Sequence, residues 1–426
     1  MSNLLGRHRA VMPRWVSLYY DDPIEIVSGK GRRVTDSDGR SYLDFFGGIL
    51  TTMLGYDVLE VREAVERQLR TGVAHTSTLY LIRAQVELAE RIAELSGIAN
   101  AKVFFTNSGT EANETALLLA THARRSDQVL ALRNSYHGRS YAATAVTGNR
   151  SWKNSSLSPL NVHYLHGADR ARFPRLSDEE YLAFCVDDLQ HVLDTATAAT
   201  DVACLIVEPV QGVGGFTAAP DGLLAEYQEI LDRYGVLLIS DEVQTGWGRT
   251  GEHFWGIQAH GVTPHVMTFA KGLGNGFAIG GVVAEGTLMD ALPANGISTF
   301  GGNPIATAAA GATLDYLLAH DLQANAHRLG HLLIDGLRTA AEGLPIARDV
   351  RGKGLMFAVD LIDPDTGAPS PPLAARVMEH AKGRGLLIGK GGLYGHTLRM
   401  APPLTLTEDE AGEGLGILLD SLAAAC

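Results

Sequence analysis

Only three of the 426 residues are cysteine (Cys185, Cys204 and Cys426), and no pair has CxxC spacing. A disulfide framework and a zinc knuckle are thereby excluded, and a reducing, cytoplasmic setting is expected. No uninterrupted apolar run reaches the ~18 residues a membrane helix requires. Positive charge is scarce too. Against 48 Asp and Glu there are 35 Lys and Arg, a net charge of −13, so a nucleic-acid backbone is not an expected partner. Lysine occurs at seven positions only: 30, 102, 153, 271, 353, 382 and 390. Among the 15 histidines, His253, His260 and His265 form no HExxH or paired-ligand spacing, and no metal site is read. The GxxxxGK[ST] loop is missing, and Gly272-Leu273-Gly274-Asn275-Gly276 misses GxGxxG at its third spacing, so a nucleotide fold is not indicated. The N-terminal stretch carries Arg7, Arg9 and Arg14 with no acid before Asp21 and no signal-peptide apolar region. It reads as an arm that packs on the body of the protein or across a dimer.

What is present is ample core material, 46% hydrophobic residues, in a chain too long for one ordinary domain. Glycine is in excess, 48 residues or about one in nine, without a collagen period. Apolar strand-like runs alternate with amphipathic stretches, the pattern of an α/β fold with a largely parallel sheet. Val103-Phe104-Phe105, residues 129–132, 204–207, 236–239 and 266–269 read as strands, each mostly apolar and so covered on both faces. Helical spacing runs through residues 60–95 with a turn near Gly72, through 110–122, and through 306–319. The segment 177–201 reads as an acidic surface helix, and Asp363-Pro364-Asp365-Thr366-Gly367 as a hairpin-like turn. Three regions are expected: an N-terminal segment over 1–55, a large domain over 56–305 and a small α+β domain over 306–426.

In open α/β sheets ligands lie beyond the carboxyl ends of the strands. After residues 103–105 comes Asn107-Ser108-Gly109-Thr110, a turn opening a helix, where hydroxyls, free N–H groups and the helix dipole suit a phosphate. After 129–132 comes Tyr136-His137-Gly138, whose aromatic ring can stack on a planar heterocycle. Asp241 closes the apolar run 236–240, and a buried acid there calls for a cationic partner. Lys271 closes 266–270, where an ammonium is disfavoured and a neutral amine or Schiff base is easier to hold. Each alone has an ordinary reading as a helix cap, a packed tyrosine or a solvated strand mouth. Together they supply what pyridoxal 5′-phosphate needs: a phosphate cup, a ring cover, a partner for the ring nitrogen and an amine for its aldehyde.

These residues resemble the class III aminotransferases, pyridoxal-phosphate enzymes of fold type I. The resemblance runs from Asp36-Ser37-Asp38-Gly39 to Arg399-Met400-Ala401-Pro402-Pro403-Leu404, through residues 107–114, Glu208-Pro209-Val210-Gln211-Gly212, residues 241–251, Lys271-Gly272 and Thr299-Phe300-Gly301-Gly302-Asn303-Pro304. It implies a seven-stranded, mostly parallel sheet flanked by helices, with a small domain built from N- and C-terminal segments. Lys271 resembles the Schiff-base lysine that also shuttles the substrate proton, Asp241 the pyridinium partner, and Gln244 the ligand of the 3′-oxygen. Tyr136 would stack on the ring with His137 beside it; Ser108, Gly109 and Thr110 would hold the phosphate. Glu208 joins the cofactor set. Thr299 would reach the phosphate from a neighbouring subunit, implying a homodimer, or a dimer of dimers, with shared sites. Arg399 matches the arginine that pairs with a substrate carboxylate.

Two departures refine this expectation. In relatives acting on 4-aminobutyrate, ornithine and acetylornithine, a glutamate in Gln-Gly-Glu-Gly-Gly masks that arginine; here the position is Val213. With His253-Phe254-Trp255-Gly256, the segment looks most like the alanine–glyoxylate type 2 branch, which leaves Arg399 free for pyruvate or glyoxylate. Gly55-Tyr56-Asp57-Val58 replaces the family's Gly-His-x-His-Pro near the expected entry, so the amino-donor pocket, with Gly47, Gly48, Ile49 and Tyr80 as candidate lining, is expected to be unusual. The expected reaction is ping-pong transamination. The alternatives are a 4-aminobutyrate or ω-amino-acid transaminase, and a phospholyase or racemase on the same fold, for which Arg133 and Arg139 are the basic candidates.

Overall fold

A computed structural model describes residues 4–426. Seven strands between residues 101 and 285 form the central sheet, in the order Ala101–Thr106, Gly280–Glu285, Val266–Phe269, Leu237–Asp241, Val202–Val207, Gln128–Leu132, Asn161–Leu165. Gly280–Glu285 runs antiparallel to both of its neighbours, and the remaining pairs are parallel. Side chains alternate between two buried faces. Cys204, Ile206, Ile239, Val266 and Val282 pack against Ala112, Ala116 and Leu119 of helix Gly109–Arg124. Leu205, Val207, Leu238, Met267 and Val283 enter the larger core on the other side. Continuous apolar runs follow from this double burial.

The five expected strands are present. Asn161–Leu165 and Gly280–Glu285 carry no comparable apolar signal, because one is an edge strand and the other opens on two glycines. Those glycines are a packing requirement: a Cβ at Gly281 would lie 2.5 Å from the Phe269 ring and 2.7 Å from the Phe104 carbonyl. Residues 60–95 fold as two helices, Leu59–Arg70 and Arg83–Ser96. The acidic helix Asp178–Thr195 has a capping box at Ser177 and Glu180 and buries Tyr181, Cys185 and Leu189, so only its outer face is surface.

The termini share structure. Ile26–Lys30, Arg33–Asp36 and Ser41–Asp44 form an antiparallel sheet completed by Leu386–Leu387, parallel to Ser41–Asp44. A second C-terminal sheet has the order Ala347–Lys353, Met356–Leu361, Thr397–Met400, Gly389–Gly391. The fold is thus α/β, with a large mostly parallel sheet and a smaller α+β part drawn from both ends of the chain.

Helix Leu322–Ala341 meets the turn before Met356–Leu361 at a glycine pair: a Cβ on Gly330 would lie 2.5 Å from backbone atoms of Gly354. Gly330→Ala should therefore destabilise the protein by roughly 1–3 kcal/mol, overriding the helix-propensity gain of up to ~1 kcal/mol. Chemical unfolding checks this; an unchanged or raised midpoint would contradict the close approach.

Candidate active site

The carboxyl ends of the parallel strands border a cavity of about 370 Å³. Ser108, Gly109, Thr110, Tyr136, His137, Glu208, Asp241, Gln244 and Lys271 all line it. Ser108 is the N-cap of helix Gly109–Arg124, its hydroxyl accepting from the Glu111 N–H at 3.2 Å. The first-turn N–H groups of Gly109 and Thr110 have no partner along the helix, which is the condition for anion binding.

Asp241 is buried at the centre of the floor. Its Oδ2 accepts from His137 Nδ1 at 2.8 Å and from Asn113 Nδ2 at 2.7 Å, and its Oδ1 from the Val243 N–H at 3.1 Å. Asn113 also donates to the His137 carbonyl, and Thr268 Oγ1 donates to Asn113 Oδ1 at 2.7 Å, which fixes the amide's orientation. Neither Asn113 nor Thr268 was expected in the site. The position of Asn113, one helical turn into the helix that carries the phosphate cup, was the available signal.

Glu208 accepts the Tyr136 N–H on one oxygen and the Gly212 N–H on the other, both at 2.8 Å. Burial pushes its pKa up to about 7, opposed by His137 and reinforced by Asp241. Burial also lowers the Lys271 ammonium below the usual lysine range, against the charges of Asp241 and Glu208. Lys271 has φ +45°, a left-handed conformation that costs a non-glycine residue about 1–3 kcal/mol and is retained mainly at functional positions.

Six expected residues lie outside this cavity. Ile49, Tyr80 and Thr299 are exposed, as is Gly48, at φ +60°, while Gly47 is buried without lining it. Arg399 is buried between the rings of Phe46 and Phe216, at 5.2 and 5.3 Å. It donates to the carbonyls of Gly212 (2.8 Å) and Lys390 (3.0 Å), with the Tyr19 hydroxyl 3.5 Å away. The unusual Tyr56 donates to buried Asp44 at 2.6 Å, and Asp44 in turn accepts the N–H groups of Phe46 and Gly47. That substitution thus acts on the turn leading to Thr51, which lines the cavity.

The aminotransferase class-III family model matches residues 18–422. The chain belongs to that family. It is 38% identical over 411 residues to an alanine–glyoxylate aminotransferase 2 homologue of Arabidopsis thaliana, covering 96% of this chain and 84% of the relative. To an acetylornithine aminotransferase of Mycolicibacterium smegmatis it is 39% identical over 408 residues, covering 96% and 95%. A phospholyase from Arthrobacter, solved with phosphoethanolamine, superimposes with a TM-score of 0.90 at 33% identity, covering 99% of each chain. The class-III aminotransferases depend on pyridoxal phosphate, and transaminases solved with it share this fold.

The residues present fit that cofactor. Two cavity-lining atoms, His137 Nε2 and Gln244 Oε1, are buried without a hydrogen-bond partner, at positions suited to polar substituents of a bound ring. The helix N-terminus offers the phosphate its donors.

The Glu208 shift has a consequence for stability. Between about pH 4.5 and 7 the unfolded chain releases this proton before the native protein does, so stability attributable to Glu208 is lost as pH rises through that window. Thermal unfolding of the cofactor-free protein at pH 5 and pH 8 should show a smaller loss in Glu208→Gln than in wild type; equal losses would show that Glu208 does not titrate there.

Proposed function

We propose that this aminotransferase passes an amino group from an amine or amino acid to a small 2-keto-acid, pyruvate or glyoxylate, in two half-reactions through one site. When bound, pyridoxal phosphate supplies the electron-withdrawing ring that makes the substrate Cα–H acidic. Lys271 would hold the cofactor through its amine and would carry the substrate Cα proton; an apolar setting that favours the neutral amine suits both tasks. Asp241, oriented by His137 and Asn113, would keep the ring nitrogen protonated. Tyr136 would cover the ring, Gln244 would meet the 3′-oxygen, and Ser108, Gly109 and Thr110 would hold the phosphate.

The observation that carries the keto-acid reading is the charge state around Arg399. Among the described residues no carboxylate pairs with it; its hydrogen bonds go to two backbone carbonyls and the Tyr19 hydroxyl. Val213, standing where ω-amino-acid relatives carry glutamate, is buried and supplies no charge. A buried guanidinium without an anion is completed by a substrate carboxylate, reached when Tyr19 of the N-terminal segment gives way. The phospholyase reading lacks such support: Arg139 is exposed and absent from the cavity wall, and Arg133 lines a separate cavity.

Lys271→Ala should lower turnover by roughly 10³-fold or more, and borohydride should label wild type at Lys271 but leave the variant unlabelled. Arg399→Lys should cut kcat/KM for pyruvate by about 10²-fold while sparing the half-reaction of an amine that has no carboxylate. Retained turnover in the first variant, or unchanged pyruvate kinetics in the second, would overturn the respective role.

A homodimer is part of this reading. Leu79, Tyr80 and Leu81 are exposed by 71, 70 and 97%, Ile297 and Phe300 are exposed as well, and the Phe300 ring lies 4.6 Å from His75. This apolar surface includes the Thr299 segment and is suited to a second copy of the chain, in a reducing cytoplasm. Sedimentation should return twice the 45.5 kDa chain mass, and Leu81→Asp should shift it toward one chain; a monomeric wild type would refute the shared site.

A further inference from the structure

We propose that Glu252, His327 and His331 form a surface site for a divalent transition metal of the Zn²⁺ or Ni²⁺ type, remote in role from transamination. His327 and His331 are one turn apart on helix Leu322–Ala341 and therefore share a face. Their ring centroids are 4.6 Å apart, nearly perpendicular at 80°. Glu252 arrives from the loop that continues the strand of Asp241. One donor atom from each of the three residues lies within 4.8 Å of the others, and all three residues are exposed. Zinc takes imidazole nitrogen and carboxylate oxygen at about 2.0–2.2 Å, so modest side-chain rotations bring the three onto one ion, with water completing the shell.

Backbone packing separates this arrangement from a chance surface cluster. The loop is docked along the same helix face: a Cβ at Gly248 would lie 2.8 Å from Gln323 Cβ, and a Cβ at Gly251 would lie 2.6 Å from His327 Cα. Gly251 has φ +82°, which favours glycine and lets the loop reach the helix. Gln323 Nε2 then donates to the Glu252 carbonyl at 3.2 Å. Glu252 is thereby anchored next to the first histidine rather than carried on a free loop. Among the described residues, none of the three side chains is engaged in a protein hydrogen bond or ion pair, whereas neighbouring Arg328 is engaged by Glu408 at 2.7 Å.

Two imidazoles and one carboxylate select zinc, nickel or copper over calcium or magnesium, which prefer oxygen shells. An ion here would fasten the loop after Asp241 to helix Leu322–Ala341. The same loop already carries buried Arg249, which donates to the carbonyls of Leu355 and Pro402. The effect of the ion is therefore on stability at the joint between the central sheet and the C-terminal region.

The test is titration of tag-free holoenzyme with ZnCl₂ and with NiCl₂ by calorimetry, paired with thermal unfolding with and without the metal. One ion per chain is expected, with affinity reduced roughly tenfold or more in His327→Ala and in His331→Ala, and less in Glu252→Gln. The metal should raise Tm of wild type and leave Tm of the double histidine variant unchanged. Cys426→Ser, which removes the exposed thiol, should bind as wild type does. The proposal is overturned if the double variant binds with wild-type stoichiometry and affinity, or if binding disappears in Cys426→Ser instead.

Discussion

The site depends on the cost of placing an ionised acid at the end of a buried strand. Asp241 follows four apolar or small residues of a central strand and is almost wholly removed from solvent. Such a carboxylate is tolerable only if its lone pairs are met. Three different elements meet them: helix Gly109–Arg124 through Asn113, the turn after Gln128–Leu132 through His137, and the backbone of Val243. Thr268, on the adjacent strand, dictates which end of the Asn113 amide faces the acid. These contacts require the strands to be parallel and in this order, so the sheet topology and the carboxylate specify each other.

The neighbouring acids show how environment divides the work. Glu242 is fully buried next to Asp241, yet it points the other way and is saturated by the hydroxyls of Ser240 and Thr245 and the N–H groups of Gly256 and Ile257. It ties the following loop together and has nothing left for a ligand. Glu208 holds the two turns that carry Tyr136 and Gly212 and faces the cavity with a raised pKa. Asp241 borders the same cavity but is held by two side chains, His137 and Asn113, as well as by the Val243 N–H. Sequence proximity does not distinguish Asp241 from Glu242; the alternation of side chains at a strand end does.

Much of this was legible in the chain because strand ends are marked by abrupt changes from apolar runs to Gly, Ser, Asp or Lys. Lys271, Asp241, Tyr136 and the Ser108 turn stand out for that reason, and all of them border one cavity. Asn113 and Thr268 do not stand out, because a polar residue inside a helix or strand has no local signal when its partners come from distant segments. The glycine excess was visible in composition, but not what it makes room for. At Gly109, Gly212 and Gly246 the missing Cβ accommodates the side chains of Val243, Gln244 and Trp255. Gly389 and Gly391 lie in a strand pressed against Phe46 and Arg399. Side-chain packing across the chain, invisible in composition, decides these cases.

Arg399, proposed to meet the substrate carboxylate, was harder to read from the sequence than the strand-end residues. Its position came from a strand of the C-terminal sheet, its acceptors from Gly212 and Lys390, and its ring contacts from Phe46 and Phe216. Four separated segments therefore determine how far that charge is exposed, and Tyr19 from a fifth lies over it. Burial lowers the guanidinium's pKa, opposed by Tyr19 and the charge of Glu208, while carbonyl dipoles and ring faces add to the compensation. The strand ends that line the cavity belong to one sheet; Arg399 is held where the N-terminal segment, the loop after the central strand Val202–Val207 and the C-terminal sheet meet. Substrate range in such an architecture is set by the joints between its parts more than by the residues around the cofactor.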